Sequence, residues 1–209
     1  MYRRQDRGDR VQVVAYPDDA AFLDQVSAAA VFLGHKWLHG PLATGAIWVG
    51  DLARFDPPRL GWRSHVSHDL AGQFALGSDA TRFETGTVDV AAYVGLRQAL
   101  AVHRGLGAMV PARISALRAR LLAALEPLPF RLLGRPEDPT GIAVVAPRPG
   151  TAFDIVQRMW TEERIVVKHI ADADMPEAIR ISFWALHSEA DIERLGAAFA
   201  RQLAVAAGA

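Results

Sequence analysis

No cysteine occurs anywhere in the 209 residues. Disulfides, thiolate metal ligands and thiol nucleophiles are therefore excluded from this stretch of chain. Net charge is lacking as well: 23 Lys and Arg balance 23 Asp and Glu. Such a balance provides no electrostatic footprint for nucleic acid or an anionic membrane surface. No apolar run is long enough to cross a bilayer. Behind Met1-Tyr2-Arg3-Arg4 no apolar signal core follows, so neither a signal peptide nor a twin-arginine address is expected, and the expected location is cytoplasmic. His35 and His39, and again His65 and His68, have spacings that bind metal on a helix, but Gly40-Pro41 and the loop around His65 argue against helices there. No carboxylate joins either pair at motif spacing, and no metal is expected. Neither a Gly-Lys-Ser/Thr phosphate loop nor a Gly-x-Ser-x-Gly nucleophile elbow is present.

What the chain does have is apolar residues, 51% of the total, enough for a packed core. The run Ala28 to Leu33 stops at Gly34, Lys36 follows, Gly40-Pro41 turns the chain, and a second run covers Ala46 to Val49. This reads as strand, loop, strand, with Lys36 at the mouth. A lysine held at a buried strand end loses its proton more readily than a surface one. That suits an amine meant to condense with a carbonyl.

Upstream, Val11 to Tyr16 is a short apolar run, and Ala20 to Ala28 has Phe22, Leu23 and Val26 on one helical face. Residues 51–81 are broken by Pro57-Pro58, Gly61, Gly72 and Gly77 and read as mostly loop. A helix is expected from Val88 to His103, with Tyr93, Leu96 and Leu100 aligned. Pro111 opens another, bearing Ile114, Leu117, Leu121 and Leu125. Strands follow at Phe130–Leu133, Gly141–Ala146, Ile165–Lys168 and Ala178–Phe183. Thr151 with Asp154, and Ser188 with Asp191, cap the two helices of this region. The second half thus reads as a small α+β domain, antiparallel strands covered by helices.

The segment Gly34-His35-Lys36-Trp37-Leu38-His39-Gly40-Pro41 resembles the active-site loop of the class V aminotransferase family, fold-type I enzymes that use pyridoxal 5′-phosphate (PLP). Arg82-Phe83-Glu84-Thr85-Gly86-Thr87 is similar to a second family motif, and Gly61-Trp62 to a third, shorter one. Ile179-Arg180-Ile181-Ser182, before the Ser188–Ile192 helix start, resembles the family's carboxylate-binding segment. The sequence departs from the pattern at Leu33, where a serine or threonine is common, at Leu42-Ala43, which replaces Arg-Gly, and at His187-Ser188, which replaces Asn-Thr.

The resemblance implies a fold: residues 1–104 as the remainder of a truncated PLP-transferase-like α/β large domain, and 105–209 as the small α+β C-terminal domain. It also implies roles. Lys36 would hold PLP as a Schiff base and shuttle the substrate α-proton. Asp9 would pair with the pyridine nitrogen, Gln12 would reach the ring oxygen, and His35 would lie near the phosphate. Gly86 and Thr87 would reach the phosphate held by the partner of a homodimer. Arg180 would clamp the carboxylate of a small amino-acid substrate. Lys168 falls where several family members have an active-site arginine.

Family members run to roughly twice this length. The implied reaction is transamination, epimerisation or C–S cleavage. The cysteine desulfurases of the family carry sulfur on a cysteine, so the cysteine-free chain is expected to stand outside the thiol-dependent branch. The alternative is a catalytically silent family member serving as a dimerisation or interaction module.

Overall fold

The computed structural model describes residues 29–52, 55–148, 150–173 and 175–208. The apolar run Val11–Tyr16, the helix expected at Ala20–Ala28, Asp9 and Gln12 lie outside the described residues. The chain divides into two compact units, one ending at Gly105 and the other running from Leu106.

In the first unit, β1 (Ala29–Leu33) pairs antiparallel with β2 (Gly45–Val49), in register from Ala29 opposite Val49 to Leu33 opposite Gly45. A second hairpin joins β3 (His65–His68) to β4 (Phe74–Leu76). This hairpin corrects the expectation of loop across 51–81. Its strands are only four and three residues long, mostly exposed, and interrupted by a bulge between His65 and Ser67, so no apolar alternation marks them. Asp69 closes its turn, with Oδ1 accepting from the amides of Ala71 at 2.9 Å and Gln73 at 2.8 Å. Helix α1 (Val90–Leu106) follows, started by Asp89, whose Oδ1 accepts from the Ala92 amide.

The second unit begins at the end of α1 and continues with α2 (Met109–Leu125). Its four-stranded antiparallel sheet comprises β5 (Phe130–Leu132), β6 (Ile142–Pro147), β7 (Lys168–Asp172) and β8 (Met175–Ser182), in the order β5-β6-β8-β7. Two more helices are α3 (Ala152–Thr161) and α4 (Glu189–Gly208). Both capping pairs form. Thr151 Oγ1 accepts from the Asp154 amide at 3.1 Å, and Ser188 Oγ from the Asp191 amide at 3.1 Å.

Ile114, Leu117, Leu121 and Leu125 of α2 are buried, as their spacing predicts. α2 packs on α4, where Ile192 and Phe199 are buried, and α4 packs in turn on α3; Ile155 and Met159 of α3 and Val145, Ile179 and Ile181 of the sheet are the other buried side chains of the unit's core. Each such side chain contributes about 1.5–3 kcal/mol by leaving water. β7 begins at Lys168, not Ile165. Arg164 has φ 56°, the Ile165 amide donates back to the Met159 carbonyl at 2.9 Å, and Val166 is exposed. The β-branched run Ile165-Val166-Val167 is therefore the connection leaving α3, and the strand follows it.

Candidate active site

Lys36 and His35 occupy the turn between β1 and β2. The turn is built around glycines. The Gly34 amide donates to the Thr44 carbonyl at 2.9 Å, and the Gly40 amide to the Gly34 carbonyl at 2.7 Å. A Cβ on Gly34 would stand 2.3 Å from Thr44 Oγ1 and 2.9 Å from Leu96 Cδ1. One on Gly40 would stand 2.8 Å from the same Leu96 atom. Leu96 is buried in α1, so the turn is pressed onto that helix. Gly95 beside it admits Pro41, whose Cγ lies where a Cβ would be only 2.6 Å away.

About two turns further along the same face of α1, the rings of His39 and His103 stack with centroids 5.8 Å apart. His103 is buried, and burial holds its pKa below the usual histidine value; the neighbouring His39 pushes the same way, and a hydrogen bond to the Leu38 backbone opposes both. Helix α1 thus grips the Lys36 turn at Leu96, Gly95 and His103, three contacts that no motif announced.

Within that turn the Lys36 side chain is exposed, not sheltered at a buried strand end as expected, because the turn carries it beyond Leu33 and Gly34 to the surface. His35 Nδ1 is buried and has no hydrogen-bond partner among the described residues. An orphaned ring nitrogen next to the motif lysine is what a polar ligand would complete.

Gly86 and Thr87 lie in the loop between a short 3-10 turn (Ala80–Phe83) and α1. The Gly61–Ser64 segment braces this loop. A Cβ on Gly61 would stand 1.7 Å from the Thr85 carbonyl oxygen, so only glycine permits that approach. Ser64 is fully buried, accepting from the Gly61 amide at 2.7 Å and donating to the Gly61 carbonyl at 2.8 Å. Arg63 Nε donates to Glu84 at 2.6 Å. Around Gly86 itself a Cβ would meet nothing within 4 Å. The loop therefore presents open space at the residue expected to approach a phosphate. Arg82, in the same motif, keeps a buried Nε without a partner among the described residues.

Arg180 lies in the second unit, on β8, opposite Val144 of β6 and Lys168 of β7. It is exposed, and its guanidinium makes no hydrogen bond or ion pair with the described residues. The structure thus brings Lys36 and His35 together, and places Gly86 and Thr87 in the same unit. Among the described residues, no group of three or more His, Cys, Asp or Glu could hold a metal ion.

The donor set fits PLP: an exposed lysine amine, an orphaned imidazole beside it, and a glycine loop open to an anion. The sequence profile described as Aminotransferase class-V matches residues 21–195. The chain belongs to the class V aminotransferase family. PLP is the cofactor this membership brings, and among the family's solved structures similar to this chain is a C-DES variant with glycine covalently linked to its PLP (TM-score 0.72, 28% identity).

A relative described as a probable cysteine desulfurase, from Xylella fastidiosa (strain 9a5c), is 32% identical over 104 residues, 48% of this chain and 25% of that protein. The cystine C–S lyase C-DES, solved with its reaction product cysteine persulfide, superposes with a TM-score of 0.71 at 28% identity, over 83% of this chain and 46% of its own. The cysteine desulfurase CsdA from Escherichia coli shares the fold, with a TM-score of 0.75 at 22% identity, over 91% of this chain and 49% of its own. The fold is therefore the mixed α/β fold of the PLP transferases. The chain spans about half the length of these solved relatives and a quarter of the curated one.

These relatives correct one expectation. The lack of cysteine does not set the chain apart from the cysteine desulfurases, because desulfurases and a C–S lyase are what it is similar to. Absence of a thiol describes these 209 residues alone. The reaction product bound to C-DES is cysteine persulfide, a molecule that carries its own sulfur. Among the described residues, no helix is long and apolar enough to cross a membrane.

Proposed function

We propose that this chain belongs to a PLP-dependent enzyme that cleaves a C–S bond in a sulfur-containing amino acid, with Lys36 as its catalytic residue. The observation that carries the reading is the pairing of Lys36 with the orphaned His35 Nδ1 in a turn fixed by Gly34, Gly40 and Leu96. The C–S lyase and desulfurase relatives support the choice of reaction.

When bound, PLP supplies an electron sink next to the substrate's α-carbon. The chain's residues do the rest. Lys36 Nζ takes up and returns the α-proton, its reach limited by a turn that α1 holds still. His35 Nδ1 hydrogen-bonds the cofactor, which satisfies a buried atom that otherwise has no partner. Gly86 and Thr87 offer their backbone and hydroxyl to an anionic group, in a homodimer the phosphate held by the other copy. Arg180 pairs with the substrate carboxylate through a planar guanidinium. Asp9 and Gln12 hold the pyridine nitrogen and ring oxygen. The protein works in the cytoplasm.

A second reading is favoured by Leu33, at the family's usual hydroxyl position, and by Leu42-Ala43, with Leu42 exposed. There the chain is a catalytically silent module that keeps the fold.

An absorbance titration with PLP separates the two. The expected outcome is a band of lysine-bound cofactor that Lys36→Ala abolishes, with C–S cleavage falling by about 10²–10⁴-fold. A band that survives Lys36→Ala rejects the residue assignment. A folded chain that gives no band at saturating PLP supports the silent module.

A further inference from the structure

His65 and His68 are three residues apart, a spacing that sends side chains to opposite faces of a regular strand. Strand β3 is not regular. His65 is opposite Leu76, Ser67 opposite Ala75 and His68 opposite Phe74, so Val66 is an extra residue with no counterpart on β4. That bulge turns His68 back onto the face of His65, and no helix is needed to bring the pair together. The two rings meet edge to face with centroids 4.9 Å apart, and His65 Nε2 stands 3.0 Å from His68 Nδ1.

The hydrogens of this pair are set from outside it. His65 Nδ1 lies 3.0 Å from the Gly61 carbonyl, which can only accept. Nδ1 therefore carries the hydrogen, and Nε2 of the neutral ring carries the lone pair to which His68 Nδ1–H donates. The Gly61 carbonyl is held in turn, accepting from the Ser64 hydroxyl at 2.8 Å and from the Ser64 amide at 3.1 Å. A ring aimed by a backbone carbonyl on one nitrogen, with the other nitrogen facing out, is how histidine ligands are oriented in metal sites. His65 is half-buried and His68 is exposed, so the first ring is fixed and the second can turn.

Two nitrogens on one metal ion, each at about 2.0 Å, stand about 2.9 Å apart across a right angle and about 3.3 Å apart across a tetrahedral one. The separation of 3.0 Å in this pair matches the right angle. We propose that His65 Nε2 and His68 Nδ1 chelate one divalent ion of tetragonal preference, copper(II) or nickel(II), with water in its remaining positions. The ion takes the place of the shared hydrogen. That hydrogen passes through solvent to His68 Nε2, so both rings stay neutral and the metal keeps its oxidation state. No third His, Cys, Asp or Glu joins them among the described residues, so the affinity rests on the chelate and either histidine alone loses it. The site stands apart from the Lys36 turn and does not depend on the PLP reading, since its test reads the metal and no turnover.

The full chain, free of any histidine tag, is titrated with copper(II) and followed by electron paramagnetic resonance. The expected result is one copper per chain with a micromolar Kd and an axial spectrum bearing two imidazole nitrogens. His65→Ala and His68→Ala each weaken binding by about tenfold or more and leave a spectrum without the paired nitrogens. His68→Asn can still donate to His65 Nε2, so it keeps the wild-type melting temperature and loses the copper all the same. His187→Gln leaves binding unchanged. Copper bound as tightly by His65→Ala and His68→Asn as by the wild type overturns the site. Zinc bound as tightly as copper overturns the right-angle assignment.

Discussion

Arg118 is buried in α2, and its guanidinium donates to the main-chain carbonyls of Arg135, Pro136, Thr140 and Ile142 at 2.7–3.2 Å. Burial lowers its pKa, while the charges of Asp138 and Glu137 oppose the shift. One side chain thereby ties down the connection between β5 and β6. Arg118→Met keeps much of the bulk but leaves those buried acceptors without donors, which should cost about 2–4 kcal/mol in urea unfolding. Arg118→Lys should recover only part, because an ammonium cannot span the four carbonyls as a planar fork does. A loss below about 0.5 kcal/mol for Arg118→Met would contradict this account. Nothing in the sequence marks Arg118, since its partners are backbone oxygens and carry no letter. Ser64 is invisible for the same reason. Lys36, Gly86 and Arg180 stand out because each sits among residues whose types and order form a pattern.

At the scale of elements, legibility follows how locally each one is determined. Helices α3 and α4 could be read from their capping pairs, and α2 from Pro111 and a 3.6-residue apolar rhythm, because these signals act within a turn or two. The β3–β4 hairpin could not: its exposed faces bury nothing, and Asp69 with Gly72 at φ 81° makes the turn without an Asn-Gly or Asp-Gly pair. β1 and β2 were legible as apolar runs, yet the grip of α1 on their connecting turn was not, because Leu96 is distant in sequence. That grip is testable. Gly34→Ala would force a methyl to 2.3 Å from Thr44 Oγ1 and 2.9 Å from Leu96. Thr44 is itself buried, its hydroxyl donating to the Pro41 carbonyl at 2.6 Å, so it cannot simply swing away. The expected cost is about 1–3 kcal/mol in thermal or urea unfolding. PLP affinity should fall with it, because the Lys36 turn moves. Adding Leu96→Ala should recover part of the loss by opening room, whereas purely additive losses would place the strain elsewhere.

Across the whole molecule, the two units differ in how much they bury. Among the described residues, Leu96 is the only buried hydrophobic side chain of the first unit, and the rest of the buried core belongs to the second. The first unit instead exposes Leu42, Trp62, Val66 and Leu70, three of them on or beside the β3–β4 hairpin. Segments with few buried apolar contacts open at low free energy. Amide exchange followed by mass spectrometry on the full chain should therefore divide it. Ile142–Pro147, Met175–Ser182 and the buried turns of α2 and α4 should exchange slowest, and β1 to β4 orders of magnitude faster. Saturating PLP adds a second contrast. A ligand that binds only the closed state protects what it orders, in proportion to its concentration over Kd. With Lys36 and His35 as its holders, protection should rise across residues 34–44 and 86–96 and stay unchanged in the β6–β8 pair. Lys36→Ala should remove that rise while leaving the ligand-free pattern intact. Protection that rises evenly over both units would mean that PLP stabilises the chain without engaging this turn, and would move the cofactor site away from Lys36.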